Sequence, residues 1–267
     1  MKNNKVIYFL LFFLVMATSC KNNANKSEAD AIDEVVLEEA KVMIASIPAP
    51  NSLVVMNLLS EAGAGYIYDI TNKTEYINNY LTARQKALAL GVYSADLSYV
   101  TSYNQQEESS AYIVTFKKLI EDLEIPIKNP EVITRFQNNL DKKDTLIKIV
   151  NEVFMESNVY LNSSDRVDIA LYMLIGSWIE TVYLLEKTIE FSVNKAPLVK
   201  IVLSNKQTLD KMIYMLDDKK NDEGFVELYD TLNHIRELFI KVGADQENEE
   251  LVDELKAVIK EARSNII

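Results

Sequence analysis

Apolar residues recur along most of this 267-residue chain at spacings of three and four, which gathers them on one side of an α-helix. The stripes predict helices over residues 28–47, 53–62, 74–90, 93–103, 107–124, 131–140, 144–160, 166–192, 197–216, 224–242 and 247–267. The gaps between them hold residues that stop or start helices. Pro48-Ala49-Pro50 cuts the first one short, and Gly91 offers a left-handed stop that glycine adopts at little cost. Asn129-Pro130 supplies a cap followed by a first-position proline, and Gly243 follows the helix that begins near residue 224. After Gly63-Ala64-Gly65, the segment Tyr66–Ile70 has no helical phase and is expected to pack as an ordered loop.

One predicted helix differs from the rest. Over Arg166 to Ser192, residues such as Leu171, Leu174, Trp178, Val182 and Leu185 put apolar side chains on more than one face. That girdle marks a helix enclosed by others. Asp168 and Glu180 argue against a membrane span, and Gly176-Ser177 would let a neighbour cross closely. The whole chain has only six glycines and five prolines. An α/β enzyme or an all-β chain would need more of both in its loops and hairpins. The expected fold is all-α, a single bundle-like domain over residues 28–267 with about ten helices round the helix Arg166 to Ser192. No repeat of solenoid length is present.

The first twenty residues change the picture. Lys2 and Lys5 precede an eleven-residue apolar run, Val6 to Met16, and then Ala17, Thr18, Ser19 and Cys20. The run is too short to span a bilayer and has the layout of an export signal, here residues 1–19. Residues 17–20 resemble a bacterial lipobox, with Ala17 in place of the usual leucine. That resemblance implies acylation of Cys20 with palmitate-type chains, and residues 21–27 then form a polar tether. Cys20 is the only cysteine, so a lipidated chain keeps no thiol for catalysis, metal binding or a disulfide. Loss of Lys2 and Lys5, with no acid, takes the net charge from −12 to −14. Such a chain has no electrostatic footprint for nucleic acid.

Candidate chemistry is sparse. Eight of the fourteen tyrosines fall between residues 66 and 112, where an even spread would give about two to three. Tyr76/Tyr80 and Tyr99/Tyr103 are i, i+4 pairs, and Tyr93, Asp96 and Tyr99 step along one helical face. Two arrangements fit. Tyr80, Tyr93, Tyr99 and Tyr103, with Asp96 and Arg84 as charged contacts, would line a groove for a ligand or peptide. Alternatively they form a helix–helix seam whose hydroxyls and Asp96 satisfy buried backbone groups, and the seam is the expected arrangement. The lone histidine, His234, shares a helical face with Glu237, a weak metal candidate that lacks a second histidine. No G-x-S-x-G elbow, phosphate loop, CxxC or calcium loop occurs, so no catalytic residue and no cofactor is expected. Adjacent acids such as Glu107/Glu108 and Asp217/Asp218 read as solvated faces.

The segment KALALGVYSADLSY, Lys86 to Tyr99, with Pro48-Ala49-Pro50 upstream and the lipoprotein signal, resembles the all-helical outer-membrane lipoproteins of Bacteroidota. The resemblance implies an outer-membrane anchor and transfers no catalytic residue, because that group has no established activity. His234-x-x-Glu237 resembles the G-x-H-x-x-E motif of imelysin-like proteins, with Leu232 where that motif has glycine. The leading expectation is a non-enzymatic, lipid-anchored envelope domain that binds a protein or small-molecule partner. The alternatives are an imelysin-like metal-binding envelope protein using His234 and Glu237, and a glycan hydrolase using two facing carboxylates.

Overall fold

The computed structural model describes residues 52–192, 196–246 and 248–267, all within one unit spanning residues 40–267. The expected helix over 28–47, the signal segment, Cys20 and the tether lie outside the described residues. Among the described residues there are ten α-helices and no strand, an all-α, bundle-like domain. In chain order they are α1 (Ser52–Glu61), α2 (Ala83–Ser102), α3 (Gln106–Asp122), α4 (Val132–Gln137) and α5 (Lys143–Ser163). Then follow α6 (Val167–Glu190), α7 (Ala196–Ser204), α8 (Lys206–Leu216), α9 (Val226–Ala244) and α10 (Glu249–Ile266).

Helix α6 lies at the centre, as its apolar girdle predicts, and packs against α1, α2, α5, α7, α8 and α10. It shares that position with α2, in which every residue from Ala87 to Ser102 is buried. The two helices run parallel. Arg84 sits beside Tyr172, Gly91 beside Gly176, Asp96 beside Glu180 and Tyr99 beside Thr188. At the crossing the backbones touch, because neither helix presents a Cβ there. A Cβ on Gly91 would lie 2.1 Å from the Met173 carbonyl oxygen, and one on Gly176 would lie 2.1 Å from that of Leu88.

Gly91 is therefore not the helix stop its sequence position suggested; α2 runs straight through it. The stop is Asn104, which takes a left-handed φ of 56°. Its N–H bonds the Thr101 carbonyl at 3.0 Å, and the Gln105 N–H bonds that of Val100 at 2.9 Å. That two-bond closure satisfies the last carbonyls of the helix. Glu124 closes α3 in the same way at φ 54°, and glycine does so only for α1, at Gly63 (φ 79°). Gly243 likewise lies inside α9 and does not end it.

The helix expected over 74–90 is broken. Thr74–Asn79 is a short 3-10 segment, Tyr80 is extended, and α2 starts afresh behind Thr82. Thr82 Oγ1 accepts from the Gln85 N–H at 3.1 Å, and Gln85 Oε1 accepts from the Thr82 N–H at 3.0 Å. This reciprocal capping box fixes the start. The helix expected over 197–216 is also two, split at Asn205, whose carbonyl accepts from the Trp178 indole at 3.3 Å.

Candidate functional site

Residues 62–82, between α1 and α2, form a strap that lies along α2 in the opposite direction. A segment outside the α-helices that packs against a buried helix must still satisfy its backbone groups. Tyrosine hydroxyls do most of that work. The Ile67 N–H donates to Tyr99 Oη at 2.8 Å, and Tyr93 Oη donates to the Lys73 carbonyl at 2.7 Å. Tyr112 Oη, from α3, donates to the Asn72 carbonyl at 2.7 Å. Asn72 Nδ2 donates to Tyr80 Oη at 2.8 Å, and the Asn72 N–H donates to Asp96 Oδ2 at 3.1 Å. The rings pack on one another as well. Tyr66 stacks on Tyr99 with centroids 5.2 Å apart, and Tyr93 lies 6.2 Å from Tyr80 and 6.1 Å from Tyr112.

Tyr93, Asp96 and Tyr99 are each 0 % exposed, which is the seam arrangement and not an open groove. Tyr80 is buried beside them. Tyr103 is half-buried against Tyr66 and Tyr99, and its hydroxyl is buried with no hydrogen-bond partner. Arg84 does not join this set; its guanidinium lies 5.7 Å above the ring of Tyr172 on α6. Burial raises the pKa of the cluster's phenols, so that Tyr99 is pushed up to about 12 despite the opposing Ile67 N–H. Tyr66, Tyr93, Tyr103 and Tyr112 are raised further, burial again being the main cause.

Beneath the strap Asp96 meets a second acid. Glu180 of α6 is also 0 % exposed, and its charge acts on Asp96. Arg263 of α10 closes the cluster with a bidentate grip on Glu180, Nε to Oε2 at 2.6 Å and Nη2 to Oε1 at 3.0 Å. The Arg263 guanidinium lies 4.2 Å from the ring centroid of Tyr183, which covers its other face. Two buried acids share one base, so only one can be charged without leaving an unpaired charge in the interior. Of the two, Asp96 holds its proton more firmly. Burial holds its carboxyl well above the ordinary carboxylate range, with the charge of Glu180 adding to the effect and Arg263 opposing it. Asp96 Oδ1 is buried with no hydrogen-bond partner. Burial works against the charge on Glu180 too, opposed by the Arg263 charge and hydrogen bonds.

Sequence inspection singled out Asp96 but missed Glu180, Arg263 and Asn72 as its partners. Glu180 had a readable signal, because an acid enclosed by apolar residues on all sides of a central helix requires a buried partner. Arg263, 83 residues further on, had none. His234 and Glu237 are both exposed on α9, and the acid nearest the histidine is Glu254 of α10, at 3.8 Å. Among the described residues no three histidine, cysteine or acidic side chains gather to hold a metal. Glu108 is engaged by the Tyr66 hydroxyl at 2.6 Å, and Asp217 by Lys220 and Tyr229.

No protein-family model, no curated protein and no solved structure matches this chain.

Proposed function

We propose that this protein is a lipid-anchored helical domain of the bacterial outer membrane that acts by binding a protein or small-molecule partner and not by catalysis. The observation that carries the reading is the N-terminal sequence: a basic start, the apolar run Val6 to Met16, three small residues, and the single cysteine of the chain at Cys20. Two or more acyl chains on that cysteine would hold the domain firmly, since each buried methylene contributes about 0.8 kcal/mol. The acid and tyrosine side chains support a non-catalytic role. Asp96, Glu180, Tyr80, Tyr93, Tyr99 and Tyr112 are buried, each bonded to another side chain or to backbone.

Growth of a producing bacterium with an alkyne-tagged palmitate tests the anchor. The wild-type chain takes up label and fractionates with the outer membrane, whereas Cys20→Ala takes up none and is released. An unlabelled wild-type chain would end the proposal.

A further inference from the structure

Helices α7 and α8 follow one another along α6 in the opposite direction. Trp178, midway along α6, donates its indole N–H to the carbonyl of Asn205 between them. Lys219, just beyond α8, lies 2.7 Å from Asp168 at the start of α6. Helix α7 is thinly covered. Its sequence is APLVKIVLS, with Lys200 its single charged residue, yet no side chain from Lys200 to Ser204 is buried. Ile201, Val202 and Leu203 sweep about 200° of the helix, so a face turned to α6 cannot cover all three. Each is only half-buried.

The strip has exposed aromatic residues towards both ends. Phe191, where α6 stops, is 68 % exposed, and Tyr214 on α8 is 65 % exposed. Its charge is basic. Residues 196–216 hold Lys200, Lys206 and Lys211 against one acid, Asp210, which Lys206 binds at 2.6 Å. The whole chain carries −12, so this stretch runs against the trend. The bordering acids are engaged, Glu190 by Lys187 at 3.0 Å and Asp217 by Lys220 at 3.1 Å. Elsewhere Val114, Val159 and Ile240 are exposed on three separate helices, and single exposed apolar residues are ordinary.

We propose that α7 and α8, with Phe191, form a strip that lays the domain on an anionic phospholipid surface. The role rests on the outer-membrane reading above. Three features favour a bilayer over an acidic protein. Lysines interleave with apolar side chains, so their stems can lie along the apolar surface while the ammonium groups reach phosphate. Tyrosine, an apolar ring with a polar tip, suits the headgroup level. The bilayer is also always near. Thirty-one residues separate Cys20 from Ser52, so an acylated chain holds the domain within about 110 Å of it. Tethering at that range raises the local concentration and lets a weak surface act.

Tryptophan fluorescence of the purified acylated chain in vesicles tests this. Trp178 is buried, so Tyr214→Trp reports on the strip, and Val114→Trp on α3 is the control. In vesicles of phosphatidylcholine and phosphatidylglycerol with brominated acyl chains, the tryptophan at 214 is expected to be quenched and that at 114 to be unaffected. Each lysine at an anionic surface contributes about fivefold to partitioning, so Lys200→Glu with Lys211→Glu should weaken docking about 25-fold. Flotation through the acyl chains should not change. Both lysines are exposed, and circular dichroism checks that the fold is kept. High salt acting on Tyr214→Trp alone should also release the strip.

Quenching that is absent at 214, equal at 214 and 114, or unmoved by both the lysine reversals and salt overturns the strip. If that chain still floats with the vesicles, the anchor stands. A chain without acyl groups overturns the anchor instead, and the same quenching at excess lipid then decides the strip.

Discussion

Gly91 and Gly176 bring the backbones of two parallel helices into direct contact at the centre of the protein. A Cβ on Gly91 would stand 2.5 Å from the Ser177 nitrogen as well as 2.1 Å from the Met173 carbonyl oxygen. Both obstacles are backbone, so no rotamer change relieves them. This crossing sets how closely α2 and α6 approach, and thereby places Asp96 against Glu180 further along the same interface.

Gly91→Ala and Gly176→Ala are each expected to destabilise the fold by about 3 kcal/mol or more, at or beyond the top of the range for overpacked cores. Gly243→Ala is the control. It lies within α9 with nothing within 4 Å of an added Cβ, and the change should stabilise by up to about 1 kcal/mol through helix propensity. Urea unfolding followed by circular dichroism compares the three.

Removal of the Arg263 side chain leaves Glu180 charged and unpaired at 0 % exposure. Arg263→Met is therefore expected to cost about 3–5 kcal/mol, and Glu180→Leu a comparable amount. The double variant should stand closer to wild type than either single one, because it removes both charges at once and leaves Asp96 neutral. A double-mutant cycle in urea measures this, and additive losses would contradict it.

The tyrosines packed against the strap should differ among themselves according to what each hydroxyl bonds. Tyr93→Phe and Tyr112→Phe leave the Lys73 and Asn72 carbonyls short of a donor, at about 1–3 kcal/mol each. Tyr103→Phe removes a buried hydroxyl that has no partner and should be neutral or stabilising. Chemical unfolding ranks them, and limited proteolysis over residues 62–82 reports whether the first two loosen the strap.

High pH should unfold the protein through these same side chains. A phenol whose folded pKa is raised stabilises the fold below its unfolded value of about 10, and that contribution is lost as pH climbs through the folded value. Tyr99 is pushed up to about 12, mainly by burial. Tyrosinate absorbance at 295 nm is expected to rise in two stages, the exposed tyrosines first and the buried set in step with loss of helix. A single early transition with full helicity would contradict the burial of the set.

Several features were legible in the sequence for reasons that act locally. The apolar period marked nearly every helix, and the all-round girdle of residues 166–192 identified α6 as central. Thr82-Ala83-Arg84-Gln85 is also a capping-box pattern, so the true start of α2 stood in the sequence, outweighed by the apolar spacing that ran on from residue 74. Glycine misled. Gly91 and Gly243 read as helix stops, yet Asn104 and Glu124 take the left-handed positions, and Gly91 is spent on a close helix crossing. A single glycine fits either use, and its neighbours in sequence do not distinguish them.

The sequence alone thus determined the helical class, the identity of one core helix and the concentration of tyrosines near Asp96, because periodicity and composition reflect burial residue by residue. Tertiary structure alone decided what those tyrosines do, which is to satisfy the backbone of a strap, and that Asp96 holds the strap at Asn72 while Arg263 grips Glu180. Those relationships join residues as much as 83 positions apart. A buried charge needs a partner, but the chain in one dimension does not say which residue packing will bring to it.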